Sequence, residues 1–314
     1  MVGAAVCLIV HFSCLTLHAQ YYLPSATEIL WEVTNQPPKN LWTYRVVPCS
    51  FSPMVLSNAL ALASLQATNR VSIPKDKNGF LSFQDRPAQL WSRALTFEPR
   101  QGEILFHRRT VLPKIPEDVP EKEAVSRLAR QCASLLGIDA AELVEKAERT
   151  QKCSSQAGGE ICARGVLFTR LLNGIEFYAN GEDVRGGFLI DFGSFGTARL
   201  FNSIWPTAER SFARPFPAQT EITGWIKAGK AVMEADQDGS FDFARLNDLS
   251  AAPKLIITKV TPYYDEVTPQ DPDAAILIAP FLKLDVIGQC DTKRITGHLL
   301  CLIAADGSKN APDK

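Results

Sequence analysis

Histidine is scarce in this sequence, four residues in 314. Two of them, His11 and His18, lie in an apolar N-terminal stretch, and the other two, His107 and His298, are far apart. That leaves little for Ser-His or Cys-His nucleophilic catalysis to draw on. The sequence has no H-E-x-x-H, no P-loop and no dinucleotide fingerprint, so the common metalloprotease and nucleotide-binding chemistries are excluded by motif. There is no C-x-x-C, and the cysteines are spread along the chain, which argues against a zinc site. Charge of one sign is also lacking. With 33 basic and 34 acidic residues the net charge is -1, and no dense Lys/Arg cluster offers a footprint for nucleic acid or an anionic membrane. Beyond the N-terminus no apolar run approaches the roughly 20 residues that a membrane span needs, so no transmembrane anchor is expected in the mature chain.

What is present begins with "MVGAAVCLIVHFSCLTLHAQ". Its apolar run is too short to span a bilayer and ends in Leu17-His18-Ala19, a small-residue site of the kind signal peptidases cut. Residues 1-19 are therefore read as a secretion signal, and the mature protein as secreted or periplasmic/extracellular. Of eight cysteines, six remain once Cys7 and Cys14 are removed. An even number in an exported chain suggests disulfides, although connectivity does not follow from sequence. Local spacing favours Cys153 with Cys162 across a Gly-Gly turn and Cys290 with Cys301 across an expected strand-turn-strand, which leaves Cys49 with Cys132. Buried free thiols are the alternative.

The order of elements suggests three units. The first, residues 20-115, holds a helix over "PMVLSNALALASLQ", announced by Ser52-Pro53, and a hairpin over "LTFEPRQGEILFHRR". The second, 116-215, opens after a proline-rich linker with a helix over "EAVSRLARQCASLLG" closed by Gly137. Asp139 and Glu142 then read as a capping box for another helix, "AAELVEKAERT". Strands follow at "GVLFTRLL", "IEFYA", "GGFLIDFG" and "GTARLFNSIW", with turns at Asn173-Gly174 and Asn180-Gly181. The third unit, 216-305, begins with a helix over "EITGWIKAGKAVM" capped by Thr220 and continues with strands. Residues 306-314 read as a disordered tail. The expected fold class is α+β, as two or three helix-plus-antiparallel-sheet units.

The stretch "VLFTRLLNGIEFYANGEDVRGGFLIDFGSFGTARL" resembles in rhythm PepSY-like modules and extracytoplasmic regulators of the YycH/YycI type, with a strand, an "NGI" turn and a Gly-bounded strand. "VTPYYDEV" and "LIAPFLKLDV" are similar to their late segment, so the resemblance covers roughly residues 120 to 305. It implies PepSY-like or cystatin-like units and a binding or inhibitory module. It carries over no catalytic residue.

Few side chains suggest chemistry. In "EADQDGSFDFAR", Glu234, Asp236, Asp238 and Asp242 fall on positions 1, 3, 5 and 9 of a calcium-loop template, with Gly239 at position 6. Position 12, where calcium needs a bidentate carboxylate, is Arg245, so the stretch reads as a solvated loop with calcium as the alternative. "FGSFG" lacks the Gly-x-Ser-x-Gly spacing of a nucleophile elbow, and Ser194 is read as a turn residue. If a binding groove exists, Trp205, Tyr178 and Arg210 are expected to line it. No cofactor is expected. The reading is an exported, non-enzymatic binding or regulatory protein that recognises a protein or peptide partner through a sheet edge or a helix-sheet groove. The alternatives are an extracellular hydrolase without a recognisable motif, or a calcium-dependent envelope or structural protein.

Overall fold

The computed structural model describes residues 27-71, 79-86, 92-108, 118-152, 160-178, 186-233, 249, 251-267, 275-291 and 293-303. The expected signal (1-19), the tail (306-314), Cys153 and all four acidic candidates of the calcium template lie outside the described residues. The elements in chain order are β1 (Glu28–Trp31), β2 (Asn40–Val47), α1 (Pro53–Leu62), β3 (Leu81–Gln84), β4 (Arg93–Glu98), β5 (Glu103–Arg108) and α2 (Lys122–Leu135). They continue with β6 (Leu143–Lys152), β7 (Ile161–Leu172), β8 (Ile175–Phe177), β9 (Gly187–Phe192), β10 (Ala198–Ile204) and β11 (Thr207–Pro215). The last are α3 (Gln219–Lys227), β12 (Ala231–Met233), β13 (Lys254–Val267), β14 (Leu277–Cys290) and β15 (Lys293–Leu302).

The expected α+β fold of two or three helix-plus-antiparallel-sheet units is corrected by this order. Fifteen strands and three α-helices among the described residues make the fold sheet-dominated. The decisive difference is "AAELVEKAERT". Asp139 does cap a turn, accepting from the Ala141 amide at 2.9 Å, but the turn is one short 3-10 piece, and the chain then enters β6. Pairing with β7 along its whole length overrides a helical propensity that is only a weak local preference. Thr220 likewise lies inside α3, and Ala218 holds the N-cap position.

The chain divides into two compact units, neither continuous in sequence. One comprises Arg45–Glu209 with Thr268–Leu277; the other comprises the chain up to Tyr44 with Arg210–Val267 and Ile278 onward. In the first, β3, β4, β5, β10, β9, β7 and β6 lie side by side in that order, every neighbouring pair antiparallel. The β4–β5 hairpin turns through Gly102 at φ 64°, and β7 folds back on β8 through Asn173 and Gly174, both at positive φ. That is the Asn-Gly turn whose twist suits a tight hairpin. Ser52 accepts from the Val55 amide and Pro53 opens α1. Inward residues of one sheet face, Phe168, Phe188, Ile190, Phe106 and Phe201, form the core with Ala59 and Leu60 of α1 and Val125, Ala129 and Ala133 of α2. Gly137, at φ 79°, ends α2 as expected.

A single carboxylate ties the end of β3 to the start of β4. Asp85, after β3, accepts from the amides of Ser92 (2.8 Å) and Arg93 (3.1 Å), from Arg93 Nε (3.2 Å) and from the Ser92 hydroxyl. Burial pushes its pKa up, but the bonds from Ser92 and Arg93 together outweigh it and hold the carboxyl well below the usual range.

In the second unit β14 and β15 form a long antiparallel hairpin, β12 adds to β15, and β1 lies parallel to β13. Trp31 Nε1 donates to Thr223 Oγ1 of α3 at 3.0 Å. Asn35 continues the pairing with β13 by side chain, donating to the Val260 carbonyl at 2.7 Å. Ring edges of Tyr44 and Tyr264 meet at 5.5 Å, and burial of Tyr264 raises its phenol far above the usual value.

The β14–β15 register also corrects a disulfide. Cys290 lies opposite Lys293, whereas Cys301 lies opposite Leu282. At about 3.3 Å per residue the two cysteines are far beyond the roughly 7 Å that a disulfide spans between Cα atoms. The turn follows Cys290 directly, with Asp291 at φ 50°; the expected pairing would need it several residues later. Among the described residues Cys49, Cys132, Cys162, Cys290 and Cys301 all carry free thiols, so the Cys49–Cys132 pair is not formed either. Burial pushes the Cys132 thiol up to about 11 and that of Cys301 up to about 12.

Candidate functional site

The feature of this fold with the clearest recognition chemistry is the outer edge of β6. The strand pairs with β7, and among the described residues it pairs with no other strand. Most of it is exposed. An edge of this kind presents unpaired backbone N–H and C=O groups to any extended chain that can reach them.

The side chains of β6 are sorted by face. Glu145 lies opposite Phe168 and Glu148 opposite Val166, on the face that packs against α1 and α2. Ala147, Arg149 and Gln151 lie opposite Leu167, Gly165 and Ala163, on the other face. The pairing shifts between Glu145 and Ala147, so Lys146 is an extra residue, a bulge. Its ammonium reaches Glu176 at 2.5 Å, and Glu176 takes the Thr169 hydroxyl as a further partner. The bulge therefore places Glu145 and Glu148 on one face of the strand and Lys146 and Arg149 on the other.

Each face is balanced from within the unit. Residues Lys122, Ser126 and Arg130 recur every four positions on α2, one stripe of the helix. Lys122 pairs with Glu148 at 2.8 Å; the hydrogen bond first and the charge second raise its pKa above the ordinary value. Ser126 donates to Glu145 at 2.5 Å, and Arg130 lies 3.7 Å from the same carboxylate with its guanidinium 4.9 Å from the Phe168 ring centre. On the other face Arg149 lies 3.5 Å from Asp191 and Gln151 donates to that carboxylate at 3.2 Å. Asp191 is 2% exposed. Its neighbour across the sheet is Gly165, where a Cβ would collide with the Asp191 carboxylate and the Ile190 carbonyl. Glycine is needed there because an acid is buried beside it.

The residues expected to line a groove are each placed in local surroundings of their own. Trp205 is half-buried, packed on the core, with the Arg170 guanidinium 5.2 Å from its ring centre. Arg170 is itself held by Glu142 at 2.8 Å and by the Pro206 carbonyl at 2.7 Å. Tyr178, half-buried, follows β8 in the same unit. Arg210 belongs to the other unit, where its guanidinium lies 4.8 Å from the Trp42 ring centre. Ser194 sits in the short turn between β9 and β10 beside Phe195, which is 66% exposed at φ 55°. No cluster of three or more His, Cys, Asp or Glu placed to hold a metal occurs among the described residues, and none of the described helices is long and apolar enough to cross a membrane.

One pair escaped the sequence. His298 Nδ1 lies 3.0 Å from Asp285 Oδ1 across the β14–β15 hairpin, both side chains partly exposed. Setting Cys290 opposite Lys293 would have brought these two residues opposite each other.

No protein-family profile and no curated protein matches the chain. Among solved structures, that of an uncharacterized protein from Eubacterium rectale is similar at 10% identity, over 87% of this chain and 86% of that chain, with a TM-score of 0.48.

Proposed function

We propose that this is an exported binding or regulatory protein, without catalysis of its own, that recognises a protein or peptide partner by accepting an extended segment at a sheet edge. The observation that carries the reading is β6: ten residues, bonded on one side by β7, with its outer edge unpaired among the described residues. Strand addition draws affinity from main-chain hydrogen bonds and selectivity from alternate side chains. β3, by contrast, is only four residues long and is already bridged by Arg70. The resemblance in rhythm of residues 120 to 305 to extracytoplasmic proteins of the YycH/YycI type implies a binding or inhibitory module.

The test is amide hydrogen exchange across β6 while extended peptides are titrated in, each compared with a copy N-methylated at alternate residues. Slowed exchange confined to β6, lost on N-methylation, is the expected result. Peptides that bind equally well when N-methylated would refute strand addition.

A second reading, an extracellular hydrolase, has one observation in its favour: the His298–Asp285 pair, a base oriented by a carboxylate. Its ladder neighbours are Lys283, Ile287, Thr296 and Leu300, none of which is a serine or cysteine. Hydrolysis of an ester panel abolished by His298→Ala would move the reading to this pair.

A further inference from the structure

We propose that residues 139–152 are a two-state segment, β6 in the resting sheet and an α-helix when the segment lifts from β7. The helical state has no strand edge, so the exchange switches the binding edge off. Only that last step rests on the sheet-edge reading above.

The segment carries a full set of helix signals. Asp139 already caps a turn, accepting from the Ala141 amide at 2.9 Å, and Glu142 stands in that first turn, where a carboxylate suits the positive end of a helix dipole. Glu142, Glu145 and Glu148 are followed four residues on by Lys146, Arg149 and Lys152, the spacing and the order in which helical ion pairs stabilise. Like charges also fall three apart, as at Glu145 and Glu148, and trim that gain. Ala140, Leu143, Val144 and Ala147 recur at helical spacing, and neither glycine nor proline interrupts the segment. An isolated helix of this length is marginal in water, so it does not displace the strand at rest.

The strand is held against these signals by few means. Among the described residues β6 is paired on one side alone, and its ladder with β7 shifts twice, between Glu145 and Ala147 and between Gln151 and Lys152. Ala, Glu and Lys are poor strand formers. The Lys122–Glu148 and Arg130–Glu145 pairs join side chains that are 33–65% exposed, and exposed pairs hold weakly. The firm latch is Arg149 on Asp191. When the segment lifts, Arg149 and Gln151 leave that carboxylate together, and the water that replaces them takes over its solvation. The other charges exchange partners instead of losing them. Glu145 passes from Ser126 and Arg130 to Arg149, and Glu148 passes from Lys122 to Lys152. Local sequence and tertiary pairing thus specify two different structures for one segment.

The experiment uses the full chain carrying A147C/T150C, with Cys290→Ser to remove the exposed native thiol. Ala147 and Thr150 are both exposed. In a strand they stand about 10 Å apart on opposite faces; in a helix they are neighbours about 5–6 Å apart. A bis-alkylating reagent with a reach of about 6 Å therefore bridges them only when β6 has left the sheet. Bridging is expected under native conditions, at the rate at which β6 amides open to exchange. The bridged product should gain helical ellipticity while β9 and β10 keep their protection. Bridging only at urea concentrations that unfold β9 and β10, or a bridged product without helical gain, overturns the switch. If A147C/T150C alters the unbridged circular dichroism spectrum, E148C/K152C, at two exposed positions four apart, is read in the same way. An extended peptide that protects β6 binds the strand state alone, so at ten times its dissociation constant it should slow bridging ~10-fold. A bound peptide that leaves bridging unchanged overturns the control of the edge. If no peptide protects β6, the sheet-edge reading fails and bridging alone decides the switch.

Discussion

Replacing Arg149 by Met tests whether the β6 cations are surface decoration or part of a buried ion pair. The Arg149 side chain is 18% exposed and that of Asp191 3%, so the carboxylate cannot turn to solvent in place, and Gly165 marks how closely the neighbouring strand confines it. Removing one partner of a buried pair leaves an uncompensated charge, at a cost of about 3–5 kcal/mol. At about 2.1 cal/mol/K of unfolding entropy per residue, that corresponds for a chain of 314 residues to a fall in melting temperature of roughly 5–8 °C. Gln151 remains within hydrogen-bond distance of Asp191, which places the expectation toward the lower end. The assay is urea unfolding of wild type, R149M, and the double variant R149M/D191N. Neutralising Asp191 removes the charge that R149M strands, so the double variant is expected to recover a large part of the loss. Acidification gives an independent reading: protonating the stranded carboxylate relieves it, so the R149M deficit shrinks as pH falls toward the carboxylate range. A deficit below about 1 kcal/mol, or a double variant no more stable than the single one, would refute the buried-pair argument.

Asp85→Ala is expected to cost roughly 1–3 kcal/mol at neutral pH, because four donors lose their acceptor. Since the folded carboxyl is held below its unfolded value of about 3.9, its stabilisation is complete above that pH and fades as pH falls toward the lower folded value; the variant and wild type should converge there in acid-unfolding curves. Native-state alkylation followed by peptide mapping should label exposed Cys290 first and leave Cys132 and Cys301 for the unfolded chain; a recovered Cys290–Cys301 linked peptide would contradict the β14–β15 register. Millimolar calcium is expected to leave the melting temperature unchanged, and a saturable rise lost in D236N/D238N would show that "EADQDGSFDFAR" is a metal loop after all.

Local signals were legible where a residue has one dominant conformational preference. Ser52-Pro53 starts α1, Gly137 ends α2, and Asn173-Gly174 makes the tight β7–β8 turn. Segments whose fate depends on a distant partner were not legible. "LVEKAERTQK" carries Ala, Glu and Lys, which suit a helix, and becomes a strand because β7 lies alongside it. The candidate edge was therefore hidden inside an expected helix, and the disulfide reading failed for a related reason. The hairpin between Cys290 and Cys301 was foreseen, but its register turns on where the bend falls, and a shift of the bend moves every cross-strand pair. The Asp191 cluster had one visible trace, the glycine at 165, which has no meaning until the facing residue is known.

The pairing of β1 with β13 bears on how the chain is made. Glu28 faces Lys254, and a ribosome adding about 5–20 residues per second finishes the first strand some tens of seconds before it produces the second. Through that interval β1 has no ladder to join, and the unit that needs it cannot close. The remaining unit, drawn largely from the uninterrupted stretch Arg45–Glu209, is available to fold first. Such a delay makes the N-terminal segment a natural substrate for holding factors during synthesis, and a slow, late-closing phase is the kinetic signature to look for when the chain is refolded from denaturant.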